Sequence, residues 1–524
     1  MRKLLAAFAA LALAAPIQVQ AQDWYEAETA HFIIKSRDRE DNVREFAETM
    51  ERFDRGMRFL QGLPEDHVEE SRANKPIIYR FGDFVDMSRW YGDPEAGVGG
   101  FFISRAGQSV AFAPARLPRS ANSRARRNRA FSVEQVLLHE YVHYFMHQNV
   151  PAAYPRWYSE GYAEMMSTMR FAEDGSFHIG DPPQSRGGFL NDFPMARLDE
   201  MLDSEHVLSG YDAFQHYNTG WLFSHYMSFN PEREAQLRAF LAALGSGEDS
   251  LTAAGRTIGD IGELQRELIS YKRGPFPGYD VRPNVMTPPE VALRPLSAAE
   301  VAVINEEMTL WRGVFSKKMA EDTAAKLRAL AAQYPDNSHI FALLAEAEHD
   351  SENFTAAATA AERATELDSE NEHAWLYRAR IALKMAEDDP AYYDVARDYL
   401  QKARNIDLDD PRPLILYYDS FYQETDGADV PEQAIIALEQ AFDEAGSDDL
   451  YRLTLGRQLV MEERFGEALI VMQPTLFSGH KIEADEDDDF TPDRLVAALK
   501  ENDRAGALEL LAKVLDDEDE EEAS

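Results

Sequence analysis

Residues 133–150 read VEQVLLHEYVHYFMHQNV. The stretch follows a helical pattern, and a helix is expected over 133–148. His139 and His143 stand four residues apart with Glu140 between them, an H-E-x-x-H run. Four residues make about one turn, so both imidazoles project from one face, about 6 Å apart along the axis. That spacing suits a shared tetrahedral zinc ion. Glu140 then lies beside the metal, where a carboxylate can take a proton from an activated water. Histidine makes up only 13 of 524 residues, so chance is a weak explanation of the spacing. His147 fails as a ligand. It lies eight residues beyond His139, about 12 Å along the helix, too far to share one ion. The plan H-E-x-x-H-x-x-G-x-x-H needs glycine at 146 and histidine at 149, and the chain has Met146 and Asn149. His147 therefore reads as a packing or ligand-orienting residue.

A third ligand is expected from a later helix. Residues 155–167, PRWYSEGYAEMMS, supply Glu160, seventeen residues past His143. Glu164 follows one turn later, where a carboxylate behind the ligands could orient an imidazole.

Trp157-Tyr158-Ser159-Glu160-Gly161-Tyr162-Ala163 is similar to the W-x-x-E-G-[FY]-A segment of the aminopeptidase-N-like enzymes, so the sequence resembles the gluzincin metallopeptidases. The resemblance implies that Glu160 is the third zinc ligand. The spacing is two residues shorter than that family's usual one, so the connecting loop differs. HYNTGWLFSHYM, residues 216–227, resembles the Y-x-x-G helix start that supplies a transition-state tyrosine in those enzymes. Tyr217 holds that place, and its hydroxyl could donate to an oxyanion. His216 and His225 are weaker candidates, with His225 read as structural. The G-x-M-E-N segment, whose glutamate binds the substrate amine in aminopeptidases, is missing from VGGFFISRAGQSVAFAPARLP, residues 98–118. The resemblance thus implies a zinc hydrolase without typical aminopeptidase specificity.

Upstream, the alternating end of DWYEAETAHFIIKS reads as a strand, Arg39 to Leu60 as an amphipathic helix, KPIIYRF as a second strand, and 98–114 as a hairpin. Downstream, 158–168 and 195–272 look helical, with breaks at Gly210, Pro231 and Gly245. Six prolines fall between 275 and 295, and 275–296 is the linker candidate. Beyond it Phe341 and Ala345 recur as Trp375 and Ala379, an offset of 34 residues. Ala357 and Ala364 recur as Ala396 and Ala403, and Gly456 and Ala468 keep the offset of Ala345 and Ala357. This resembles the tetratricopeptide repeat, with small residues where paired helices touch. The expected fold is an α+β zincin-like metallopeptidase domain followed by an all-α helical-repeat solenoid. The divisions are 1–21 signal peptide, 22–274 zinc domain, 275–296 linker, 297–480 repeats, and 481–524 acidic tail with a terminal helical pair.

MRKLLAAFAALALAAPIQVQAQ has a positive start, a short apolar run and a small-residue site near Ala21, so export with cleavage there is expected. A bacterial periplasmic or secreted protein follows, with no membrane span. The chain has no cysteine, which excludes disulfides and thiolate chemistry. A formal charge of −40 repels nucleic acid and anionic lipid. RLPRSANSRARRNR, residues 116–129, holds six arginines, a basic island that reads as an exposed loop. Taken together, these features point to a periplasmic metalloprotease, a zinc hydrolase acting on a protein or peptide substrate, whose repeats bind a protein partner. One alternative is a repeat-type protein-binding scaffold with a catalytically silent metallo-domain. Another is a zinc hydrolase of non-peptide bonds. If the repeats only read substrate, a cut near Pro288 leaves a folded, zinc-loaded half. If they cover an apolar face of the zinc domain, it does not.

Overall fold

Ile33, Ile77 and Val110 lie in register across three strands, as do Ile34, Ile78 and Ala111. These strands are β2 (Ile33–Ser36), β3 (Ile77–Arg80) and β5 (Val110–Ala113), mutually parallel and buried at every position. Burial on both faces explains the apolar Ile33-Ile34, Ile77-Ile78 and Val110–Ala113, while the buried Lys35, Ser36 and Arg80 each find a polar partner. The computed structural model describes residues 24–65, 70–93, 98–107, 109–116, 133–183, 194–203, 210–314, 316–477 and 491–523. The expected signal peptide, the arginines beyond Arg116 and the acidic run 481–490 lie outside the described residues.

The sheet gains antiparallel edges from β1 (Tyr25–Glu28) beside β2 and from β4 (Phe101–Ile103) beside β5. A sixth strand, Ala292–Pro295, pairs antiparallel with β1. Helix α1 (Glu40–Gln61) crosses between β2 and β3. It buries Val43, Phe46, Ala47, Met50, Phe53 and Met57, one helical stripe. Gly62 ends it at φ 70°, a left-handed cap that glycine adopts without steric cost. Helix α2 (Phe84–Tyr91) precedes β4. Beyond β5 come α3 (Val133–Asn149) and α4 (Arg156–Met166), then a small sheet in which β6 (Arg170–Phe171) and β7 (Phe177–Ile179) pair with β8 (Tyr279–Val281). Between β7 and β8 run α5 (Leu198–Met201), α6 (Gly210–Phe229), α7 (Pro231–Gly245), α8 (Ser250–Thr257) and α9 (Ile261–Tyr271). The strand Ala292–Pro295 is β9.

From α10 (Ala298–Arg312) and α11 (Lys317–Gln333) onward, helices pack as successive antiparallel hairpins. The pairs are α12 (Ser338–Asp350) with α13 (Phe354–Leu367), α14 (Glu372–Ala386) with α15 (Ala391–Ile406), α16 (Arg412–Thr425) with α17 (Glu432–Glu444), and α18 (Asp449–Met461) with α19 (Phe465–Leu476). A last pair joins α20 (Pro492–Glu501) and α21 (Arg504–Ala523). The repeating alanines, Ala345, Ala357, Ala364, Ala379, Ala396, Ala403 and Ala468, are each 0% exposed. At Gly456 an added Cβ would come within 2.3 Å of Met472 Sδ. The small side chains are therefore the points where helices touch, as the repeat pattern requires. No described helix is long and apolar enough to cross a membrane.

The proline-rich stretch 275–296 differs from the expected linker. It supplies β8 to one sheet and β9 to the other. Proline is tolerated there because β9 is an edge strand and Pro295 ends it. The expected separation into two units fails for the same reason, and a second observation reinforces it. Ile34, Ile78, Ala111 and Ala113 pack with α1, α3 and α4 on one face of the sheet. Ile33, Ile77, Tyr79, Val110 and Phe112 pack on the other with Val303, Met308, Trp311, Leu327, Ile340 and Leu343 of α10–α12. The first repeat helices are thus the second covering layer of the sheet. Lys35 and Tyr79 bond Glu307 across this boundary, and His339 Nε2 lies 2.6 Å from the same carboxylate. Burial opposes the charge of Glu307, but Lys35 and His339 hold its carboxyl far below the usual range.

The β4–β5 hairpin tip also enters the array. Ala106 N–H donates to Asp448 (2.7 Å) and Ser104 Oγ to the Ser447 carbonyl (3.3 Å). Gly107, at φ 69°, is pressed so close that a Cβ would meet Arg412 at 2.3 Å. Gln148 at the end of α3 bonds the Glu444 carbonyl and the Ser447 amide.

Candidate metal centre

Helix α3 points Leu138, Tyr141, Val142 and Phe145 into the core between sheet and helices. Tyr141 O–H donates to Asp54 Oδ1 at 2.7 Å, fixing α3 against α1. His139, Glu140 and His143 occupy the half-buried side of the helix. The link 150–155 is short and packed: Ala153 and Tyr154 are buried, and Tyr154 O–H bonds the Val150 carbonyl. This compact turn lets a shorter spacing still bring Glu160 back to the histidines.

Helix α4 is held by a close crossing with α6. A Cβ on Gly161 would lie 2.2 Å from the Gly220 carbonyl oxygen, and one on Gly220 would lie 2.9 Å from the Trp157 carbonyl oxygen. Both glycines of the two sequence segments are therefore required by backbone approach. Trp157 stacks on Phe223 at 4.2 Å beside this crossing. The crossing carries Glu160 and Tyr217 to the same place.

His139 Nε2 lies 3.1 Å from Glu160 Oε2 and 3.2 Å from His143 Nε2, and His143 Nε2 lies 3.6 Å from Glu160 Oε2. Metal–ligand distances of 2.0–2.2 Å give a tetrahedron with edges of about 3.4 Å. The three separations bracket that value, so the donor set fits a divalent ion. Glu160 is 3% exposed. The outer nitrogens are also engaged. His143 Nδ1 lies 3.0 Å from Ser159 Oγ, and His139 Nδ1 lies 3.9 Å from Glu164 Oε1, an ion-pair contact rather than a hydrogen bond. The Ser159 hydrogen bond engages the outer nitrogen of His143 and leaves its Nε2 lone pair for a metal.

The electrostatics favour a cation. Burial alone would disfavour a charged His139, yet the hydrogen bond and charge of Glu160, with Glu164 and Glu140, raise its pKa to about 9. Proton and metal compete for that position. Tyr217 hydrogen-bonds Glu160 and Arg156. Burial and the charge of Glu160 both raise its pKa, so the hydroxyl keeps its proton.

Every sequence-derived candidate except His147, His216 and His225 falls in or beside this cluster. His147 packs its ring against Tyr154. His225 is fully buried, 3.1 Å from the Gly180 carbonyl and 2.8 Å from the Tyr271 hydroxyl, a structural role as expected. His216, 6% exposed, is not part of the ligand group. Two contributors went unread: Ser159, hidden inside the glutamate segment, and Arg156, whose position nothing in the motif marks.

No family model matches the chain, and no curated protein matches it. Matching solved structures include "MamA RS-1 ArsTM double mutant" and "MamA 41-end from Desulfovibrio magneticus RS-1". Each is 18% identical, with TM-scores of 0.26 and 0.27. The matches cover 34% of this chain and 93% and 94% of theirs. Scores so low carry no argument, and the repeat architecture rests on the helix packing described above.

Proposed function

We propose that the chain is an exported zinc-dependent metallopeptidase. The observation that carries this reading is the convergence of two imidazole nitrogens and one carboxylate oxygen at tetrahedral edge lengths, beside Glu140. A zinc ion bound there would supply Lewis acidity, activating a water at neutral pH and polarising a carbonyl. His139, His143 and Glu160 would hold it. Glu140 takes the proton of the attacking water as its oxygen bonds the peptide carbon. It returns that proton to the nitrogen as the C–N bond breaks, leaving an acid and an amine. Tyr217, a protonated phenol that gives its proton to Glu160 in the resting site, would have to turn from that carboxylate to donate to charge developing on the carbonyl oxygen. Glu164 and Ser159 keep the imidazoles oriented.

The second reading is a protein-binding helical array with a silent metallo-centre. The stacked hairpins favour it, whereas the hairpin tip bonded into the array argues against a freely open groove. The test is turnover of a peptide library before and after chelation. The proposal expects hydrolysis that chelation abolishes and zinc restores. Hydrolysis untouched by metal removal, or none from a zinc-loaded chain, contradicts it.

A further inference from the structure

Arg156 opens α4, one turn before Glu160, so the two side chains share a face. Tyr217 bridges them, accepting from the guanidinium and donating to the carboxylate. Glu160 directs its carboxylate to the histidines, and among the described residues Arg156 forms no ion pair. Its Nε is buried without a hydrogen-bond partner, and a desolvated donor of this kind costs free energy until an acceptor reaches it. In a chain with 93 acidic and 53 basic residues, acidic partners are abundant, yet among the described residues none pairs with this cation beside the ligand cluster. The β4–β5 hairpin offers only Phe101, Phe102, Ile103 and Val110–Ala113 on its strands, with no carboxylate to hold a substrate amine.

We infer that Arg156 binds a carboxylate of the substrate, so the site takes peptides by a free C-terminal carboxylate. This rests on the peptidase reading and names its substrate class. A guanidinium presents a planar fork that matches a carboxylate. Arg156 is therefore a specificity residue, separate from the proton transfer assigned to Glu140. An acidic side chain at the same subsite is the other source of this chemistry.

The test uses the full chain carrying Glu140→Gln, which prevents turnover, and calorimetric binding of three short peptides. One ends in a free acid, one is its C-terminal amide, and one is an amide ending in glutamate. Metal content is measured in parallel. The free acid is expected to bind about 10- to 100-fold tighter than the amide. Arg156→Gln should erase that ratio at unchanged metal content, and Arg156→Lys should restore part of it. The glutamate-ending amide matching the free acid would identify the side chain as an equal source. Equal binding of acid and plain amide, a preference that survives Arg156→Gln, or no binding by a metal-loaded chain overturns the inference. The acid-to-amide comparison in the Arg156-bearing chain stands even if Arg156→Gln fails to fold. An Arg156-dependent acid preference in a chain that takes up no metal would leave this site standing and remove the hydrolase reading.

Discussion

Replacing Glu140 by glutamine would remove the oxygen proposed to accept the proton while leaving the three candidate ligand atoms in place. Metal content should be unchanged and peptide turnover should fall by about 10²- to 10⁴-fold; a variant that still turns over the library at the original rate would sink the assigned base. Ligand choice separates just as cleanly. Glu160→Ala should release the metal or weaken it severely, whereas His147→Ala, which loses packing on Tyr154 at a residue outside the ligand group, should keep it. His225 makes a different prediction. One ring nitrogen donates to a carbonyl and the other accepts from Tyr271 O–H, so the neutral tautomer satisfies both, and burial lowers its pKa to about 4. Between pH 6.5 and 4 the unfolded chain takes up a proton that the folded chain refuses. Stability is complete above pH 6.5 and is lost as pH falls through that window, by roughly 3 kcal/mol. Chemical denaturation across pH should show His225→Gln with a flatter acid limb; parallel curves would contradict the neutral assignment.

Helices α4 and α6 meet through glycine against backbone, so their crossing sets where Glu160 sits. Gly161→Ala should force the helices apart, lower stability by about 1–3 kcal/mol and reduce metal affinity together. A thermal melt alongside metal analysis reads both, and an alanine variant with the original melting temperature and metal content would mean that the crossing has room to spare. This element was half legible. Helical periodicity and the four-residue histidine spacing are local properties, so His139, His143 and the helix they share could be read directly. Glu160 needed the resemblance, because nothing local says which later carboxylate returns to the histidines. Arg156 and Ser159 act through contacts between helices, which periodicity does not encode. The repeat alanines were readable because helix pairing recurs along the chain, whereas β9 was not: its partner is the first strand, and its prolines resemble a linker.

The whole molecule is one interlocked unit, because β9 closes the sheet and α10–α12 cover its second face. A chain ending near Pro288 loses both, so it should aggregate or melt without cooperativity; a soluble, metal-loaded fragment would contradict this architecture. The buried Lys35–Glu307 contact gives a subtler probe. Lys35→Met takes the Lys35 ammonium from the buried Glu307, leaving it to His339 and Tyr79, and should cost about 3 kcal/mol, seen as a lowered denaturation midpoint. An unchanged midpoint would mean that the contact contributes nothing to joining sheet and repeats. The central claim, that this fold gathers His139, His143 and Glu160 around a catalytic zinc, is tested most directly by elemental analysis of the purified full-length chain and of His143→Ala. About one zinc per chain, lost in a variant that retains its helical signal, is the expected result. A folded chain that takes up no zinc when it is supplied would contradict the account.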